Sequence, residues 1–277
     1  MTTTILLVGH GSRNQCGNRE IDTIGEQWRL RHPDWRIELC FIELADRLLD
    51  EGLAAAAAGS QRVVVVPLIL NAAGHVKMEI PHHIAKARLR FPEVAFSYAR
   101  HLGASDAVLK ILKRQLHKVM DGLDRPDPKT TGLILLGRGS SDRLANGEMA
   151  KMGRWLYEIS QHELVDIAFT GITYPRLEQV VQRQVKLEMT QIVILPYYLF
   201  TGVLIERIGR QHHHLQQQYP QIRFALGNYF GFEEEIFQLL DQRVAEVVDD
   251  SAPLMMECDG CHYRASHEAA DDGHHHS

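Results

Sequence analysis

The chain has 277 residues, of which 45% are hydrophobic and 23% charged, with 30 Lys plus Arg against 35 Asp plus Glu and a formal charge of -5. That composition belongs to a folded protein of one large or two small domains and excludes wholesale disorder or a fibrous protein. A mildly acidic chain without a basic tract is a poor ligand for a phosphate backbone. The longest apolar runs, residues 63–70 and 192–200, fall short of the roughly 20 residues that a membrane helix needs. Residues 1–5 carry no basic leader, and four cysteines are too few for a disulfide scaffold, so a reducing, cytoplasmic setting is expected.

Taken in chain order, short apolar runs alternate with longer amphipathic stretches. Strands are expected over 5–9, 36–42, 63–68 and 94–98, by their length and β-branched content. Helices are expected over about 18–31, 46–58, 76–90 and 104–120. Residues 121–131, with Pro126 and Pro128, read as a linker. The pattern then repeats, with strands near 133–136, 165–169, 192–196 and 222–225.

The repetition extends to the residues themselves. Thr4-Ile5-Leu6-Leu7-Val8-Gly9-His10-Gly11-Ser12 returns as Gly132-Leu133-Ile134-Leu135-Leu136-Gly137-Arg138-Gly139-Ser140, an offset of 128. Val63-Val64-Val65-Val66-Pro67 returns as Ile192-Val193-Ile194-Leu195-Pro196, and Phe91-Pro92-Glu93-Val94 as Tyr219-Pro220-Gln221-Ile222. A period this long marks a duplicated domain rather than a solenoid. The expected fold is α/β: two similar flavodoxin-like domains, each a four-stranded parallel sheet flanked by helices. Their bounds are 1–122 for the amino-terminal domain and 131–248 for its repeat, followed by a flexible polar tail over 249–277.

In such sheets ligands bind beyond the carboxyl ends of the strands, at the point where strand order reverses. His10 closes the first strand, His75 follows the third within Asn71-Ala72-Ala73-Gly74-His75, and Glu43 follows the second. Neighbouring strands lie roughly 4.8 Å apart, so two imidazoles at adjacent strand ends can share one ion at about 2.1 Å each. The second half is an internal control. It keeps the glycines but has Arg138 for His10, Gly171 for Glu43 and about Val203 for His75, which points to chemistry rather than structure for the first-half trio. No GxxxxGK[ST], GxGxxG or GxSxG stands at a strand end, which disfavours a nucleotide-binding or hydrolytic protein.

The motifs Gly9-His10-Gly11-Ser12-Arg13, Phe41-Ile42-Glu43-Leu44-Ala45-Asp46 and Gly74-His75-Val76 together resemble those of the class II sirohydrochlorin chelatases, over both halves of the chain. The long, duplicated form of that family also carries a Met-x-Cys-x-x-Cys element and a histidine-rich region, matched here by Met256-Glu257-Cys258-Asp259-Gly260-Cys261 and the histidines at 274–276. The resemblance implies an enzyme, a chelatase-like fold, and His10 and His75 as catalytic metal-binding residues with Glu43 beside them. It implies sirohydrochlorin and a divalent metal as partners. Co2+, on the route to cobalamin, is favoured by the tail; Fe2+, on the route to sirohaem, is the alternative. Arg13, Lys77 and Arg138 are expected anchors for the carboxylates of the substrate. Cys258 and Cys261 are expected to hold an iron–sulfur cluster, with ligands from a second subunit of a homo-oligomer, or else zinc with His262 and His267. The histidines at 274–276 read as a metal reservoir or as the stump of a tag. Those at 212–214 and at 82–83 read as solvated faces. A non-catalytic cobalt or nickel carrier is the rival of another class.

Overall fold

The computed structural model describes residues 2–124 and 126–248. The tail expected from 249 onward lies outside them. Among the described residues eight strands form two four-stranded parallel sheets. The first contains β1 (Thr3–Gly9), β2 (Arg36–Phe41), β3 (Arg62–Pro67) and β4 (Ala95–Tyr98) in the order β2-β1-β3-β4. The second contains β5 (Thr131–Gly137), β6 (Val165–Phe169), β7 (Gln191–Pro196) and β8 (Arg223–Leu226) in the order β6-β5-β7-β8. The continuous apolar runs of β1, β3, β5 and β7 suit central strands covered on both faces. Leu6, Val8, Val63 and Val65 are fully buried in one core, and Ile134, Leu136, Ile192 and Ile194 in the other.

Among the described residues the α-helices are eight: α1 (Gln15–Arg31), α2 (Leu49–Ala57), α3 (Ile80–Arg90), α4 (Asp106–Asp121), α5 (Arg143–Ser160), α6 (Leu177–Lys186), α7 (Val203–Gln218) and α8 (Glu234–Val248). The described chain groups into two compact units, residues 2–13, 21–103 and 237–248, and residues 14–20, 104–124 and 126–236. These units differ from the expected domains at residues 14–20 and in their last helices. Helix α4, which closes the first sequence repeat, belongs to the second unit, and α8 from Phe237 onward belongs to the first. Side-chain chemistry accounts for the exchange. In the first unit Phe237, Leu240 and Val244 of α8 are buried, and Asp241 accepts from Trp28 Nε1 at 2.7 Å. The buried Arg243 donates to the carbonyls of His101 and Leu102, each at 2.9 Å. In the second unit Arg114 of α4 pairs with Glu233 and Glu235, both at 2.7 Å.

Two helix starts depart from the sequence expectation. Helix α2 begins at Leu49 rather than near Asp46, because Leu44 sits at φ 56 and Leu48 bridges back to Phe41. The helix expected from 76 begins instead as a π-helical turn, His75–Glu79, in which Ile80 N–H donates to His75 O. Pro81 explains the widening: it has no N–H to give Lys77 O, and its ring crowds that carbonyl. The second copy has Gly209 at the matching position, and there α7 runs without a π turn.

Candidate functional site

The loop after β1 and the loop after β2 are clipped together by backbone bonds. Ile42 N–H donates to Gly9 O at 3.0 Å and Glu43 N–H to His10 O at 3.1 Å. So close an approach requires Gly11, whose φ is +89 and whose added Cβ would fall 1.7 Å from Glu43 O. The residue just past that clip, Leu44, is held in the left-handed region, a strain of roughly 1–2 kcal/mol that clusters at functional loops. The second unit repeats this backbone: Gly171 N–H donates to Arg138 O at 3.1 Å, Gly139 has φ +84, and Ile172 has φ 62. The scaffold therefore needs the glycines and the turn but not His10 or Glu43.

On this scaffold the first unit gathers its three predicted donors. One ligand atom from each of His10, Glu43 and His75 lies within 4.8 Å of the others, the one such triad among the described residues. The imidazoles meet edge to face with centroids 4.7 Å apart. Glu43 Oε1 lies 3.8 Å from His10 Nδ1, and all three side chains are partly open to solvent. Two donors on one ion at about 2.1 Å each lie at most about 4.2 Å apart, so small side-chain rotations close the set.

The outer nitrogens of both rings are engaged. His10 Nδ1 lies 3.0 Å from Gly11 O, which can only accept, and a hydrogen on Nδ1 makes Nε2 the ligand nitrogen. His75 Nδ1 lies 2.5 Å from Glu79 Oε2, and a carboxylate there fixes the same tautomer and makes Nε2 the better donor. Glu79 was not among the residues expected from sequence. The signal that marks it is its i,i+4 spacing from His75 on a helical turn. Its counterpart in the second unit is Arg207, so it disappears together with the three donors.

The model of the CbiX family matches residues 4–119 and, a second time, residues 132–247. The chain belongs to the CbiX family. This CbiX-family chain is 38% identical over 264 residues, 94% of its own length and 84% of the other's, to a protein of Priestia megaterium named sirohydrochlorin cobaltochelatase. It is 29% identical over 252 residues, 91% of this chain and 94% of the other, to the sirohydrochlorin ferrochelatase of Bacillus subtilis (strain 168). Among solved structures, SirB from Bacillus subtilis with Fe3+ superposes with a TM-score of 0.79 at 28% identity, covering 91% of this chain and 98% of that one. The sirohydrochlorin chelatase SirB from Bacillus subtilis subspecies spizizenii in complex with cobalt gives 0.75 at 27% identity, covering 90% and 97%.

The other expected residues of this CbiX-family chain divide. Arg13 in the first unit and Arg138 in the second are exposed, as anchors for carboxylates would need to be. Lys77 is not on an open rim: the π turn carries it inward, where it is only 4% exposed, and this corrects its expected place as a surface anchor. Cys40 is buried in β2, where burial pushes its thiol up to about 12, and it packs as a small apolar side chain. His213 and His214 are exposed as expected, but His212 is half-buried edge-on to Phe224, and burial lowers its pKa. His83 lies 2.5 Å from Asp50 Oδ1. Cys258, Cys261, His262, His267 and the histidines at 274–276, with the cluster, zinc and reservoir readings attached to them, lie outside the described residues. No helix among the described residues is long and apolar enough to cross a membrane.

Proposed function

We propose that the chain is a sirohydrochlorin chelatase that inserts Co2+ into the macrocycle, with His10, His75 and Glu43 as the residues that hold and release the ion. The observation that carries this reading is the convergence of those three donors on one loop rim of the first unit. The relatives' names supply the substrate, and the 38% identity to a cobaltochelatase supports cobalt over iron.

The chemistry fits a sparse donor set. An ion that must be surrendered is better held by two imidazoles and a carboxylate with open positions than by a closed four-ligand cage. Insertion exchanges one divalent ion for two pyrrole N–H protons, so charge and atoms balance only if two protons leave the ring. As each imidazole gives up the metal, its Nε2 lone pair is freed beside the proton that must depart, and it accepts that proton. Glu79, on the far nitrogen of His75, stabilises the imidazolium that results. Glu43 is the third ligand and a second route for the proton to solvent. Arg13 in the first unit and Arg138 in the second each offer an exposed positive charge that suits a carboxylate.

The test is an anaerobic insertion assay that follows the absorbance of metal-free sirohydrochlorin with Co2+ and, in parallel, Fe2+. Faster cobalt insertion is the expected result. Faster iron insertion moves the assignment to a ferrochelatase. Tight metal binding with no insertion of either ion would leave a metal carrier.

A further inference from the structure

Away from the triad, the first unit brings imidazole and carboxylate together a second time. Leu49 and Leu53 of α2 and Ile80 and Ile84 of α3 are buried in one core, so their chain neighbours Asp50 and His83 come out at the edge where the two helices pack. There His83 Nδ1 lies 2.5 Å from Asp50 Oδ1, with the His83 side chain 23% and the Asp50 side chain 63% exposed. The exposed His82 ring stands edge-on to His83, with centroids 5.9 Å apart. Glu79, which meets His75 on its other side, precedes His83 by four residues and so lies beside it on the helix surface.

The second unit shows what the fold alone asks of these positions. At the offset of 128 it has Gln211 for His83 and Glu178 for Asp50, and Gln211 Nε2 donates to Glu178 Oε1 at 2.7 Å. An amide and a carboxylate therefore also clip the two helices, and an exposed clip of this kind adds little to stability. Holding α2 to α3 does not call for an imidazole. The neighbouring positions change in the same direction, with Arg210 for His82 and Arg207 for Glu79. Asp50, Glu79, His82 and His83 can all donate to a metal. Of their counterparts only Glu178 can, and the guanidiniums of Arg207 and Arg210 repel a cation. Metal donors on the helices thus come and go with the triad on the loops.

We propose that Asp50 and His83 form a second divalent-metal site on the helical face of the first unit, with His82 brought in as a third donor by rotation of its side chain. Adjacent donors on an ion at about 2.1 Å each lie about 3.0 Å apart, so the pair opens by about half an ångström as the ion takes the place of the hydrogen between them. Water fills the remaining positions. A donor set that includes imidazole favours Co2+, Ni2+ or Zn2+ over Mg2+ and Ca2+. The site does not depend on the chelatase reading above.

The test is equilibrium dialysis of the full chain against Co2+, comparing the parent with His83→Gln, Asp50→Ala, His10→Ala and the His10→Ala/His83→Gln double variant. His83→Gln copies the second unit and keeps an amide to bond Asp50, so it removes the ligand and spares the clip. Cobalt held by histidines elsewhere is common to all five proteins and cancels. His83→Gln and Asp50→Ala should each hold about one Co2+ fewer than the parent, and the double variant about two fewer. A tenfold excess of Mg2+ over Co2+ should leave these differences in place. Circular dichroism checks folding, and Asp50→Ala keeps the test usable if His83→Gln does not fold. Parent-like Co2+ binding by both folded single variants at the helical pair would overturn the proposal, as would differences that Mg2+ abolishes. Full Co2+ binding by His10→Ala, with one ion lost in His83→Gln, would sink the triad as a metal site while upholding this one.

Discussion

Removing the carboxylate of Glu79 tests whether the back of His75 matters as much as its front. Glu79 Oε2 sits 2.5 Å from His75 Nδ1 and touches no other donor of the triad, so its substitution leaves all three proposed ligands in place. Loss of such an outer-sphere partner typically weakens metal affinity about 10–100-fold. Here both side chains are more than a third exposed, His75 at 36% and Glu79 at 38%, which screens the charge and argues for the lower end. Glu79→Ala loses orientation and charge together and should weaken Co2+ binding about tenfold, near 1.4 kcal/mol. Glu79→Gln retains an oxygen that accepts from Nδ1–H and loses only the charge, so about threefold is expected. The assay is calorimetric titration of the full chain with Co2+, subtracting the signal of His10→Ala, which reports cobalt held elsewhere. Glu79→Ala binding cobalt as tightly as the parent would refute the positioning role.

Three further outcomes follow from the same geometry. Pro81→Ala restores an N–H for Lys77 O and lets His75–Glu79 wind as ordinary α-helix; cobalt affinity should fall while the urea midpoint does not. Gly11→Ala forces a Cβ onto Glu43 O at a positive φ and should cost about 3 kcal/mol or more in urea unfolding. His162 is buried with Nδ1 2.7 Å from Ser160 O, and burial lowers its pKa, so the unfolded chain takes up a proton near pH 6.5 that the folded chain refuses. Its contribution is therefore present above about pH 6.5 and lost as pH falls, and His162→Gln should flatten the fall in Tm between about pH 7 and 5.

Much of the architecture was legible in the residues. The four-valine run of β3 and its Ile192-Val193-Ile194 counterpart announce buried parallel strands, and the 128-residue offset predicts that the turn at Gly11 recurs at Gly139. The same offset singles out His10, Glu43 and His75 as residues the scaffold does not need, because their loss in the second copy leaves the backbone clip intact. What could not be read has physical causes. Amphipathicity shows that α4 and α8 bury a face, but not which sheet receives it; that choice is made by partners such as Asp241 for Trp28. Lys77 sits beside a strand end in sequence, yet a π turn imposed by Pro81 four residues later turns it inward. Glu79 meets His75 through side-chain reach, and reach becomes visible only in three dimensions.

The central claim is that His10 and His75 hold one ion loosely and pass it to a ring. The most direct measurement is the rate of Co2+ insertion into sirohydrochlorin by His10→Ala and by His75→Ala, with circular dichroism to show that each variant is folded. Loss of insertion by at least about a hundredfold in both is expected, since each change removes a ligand and a proton acceptor at once. Parent-like insertion by both folded variants would contradict it.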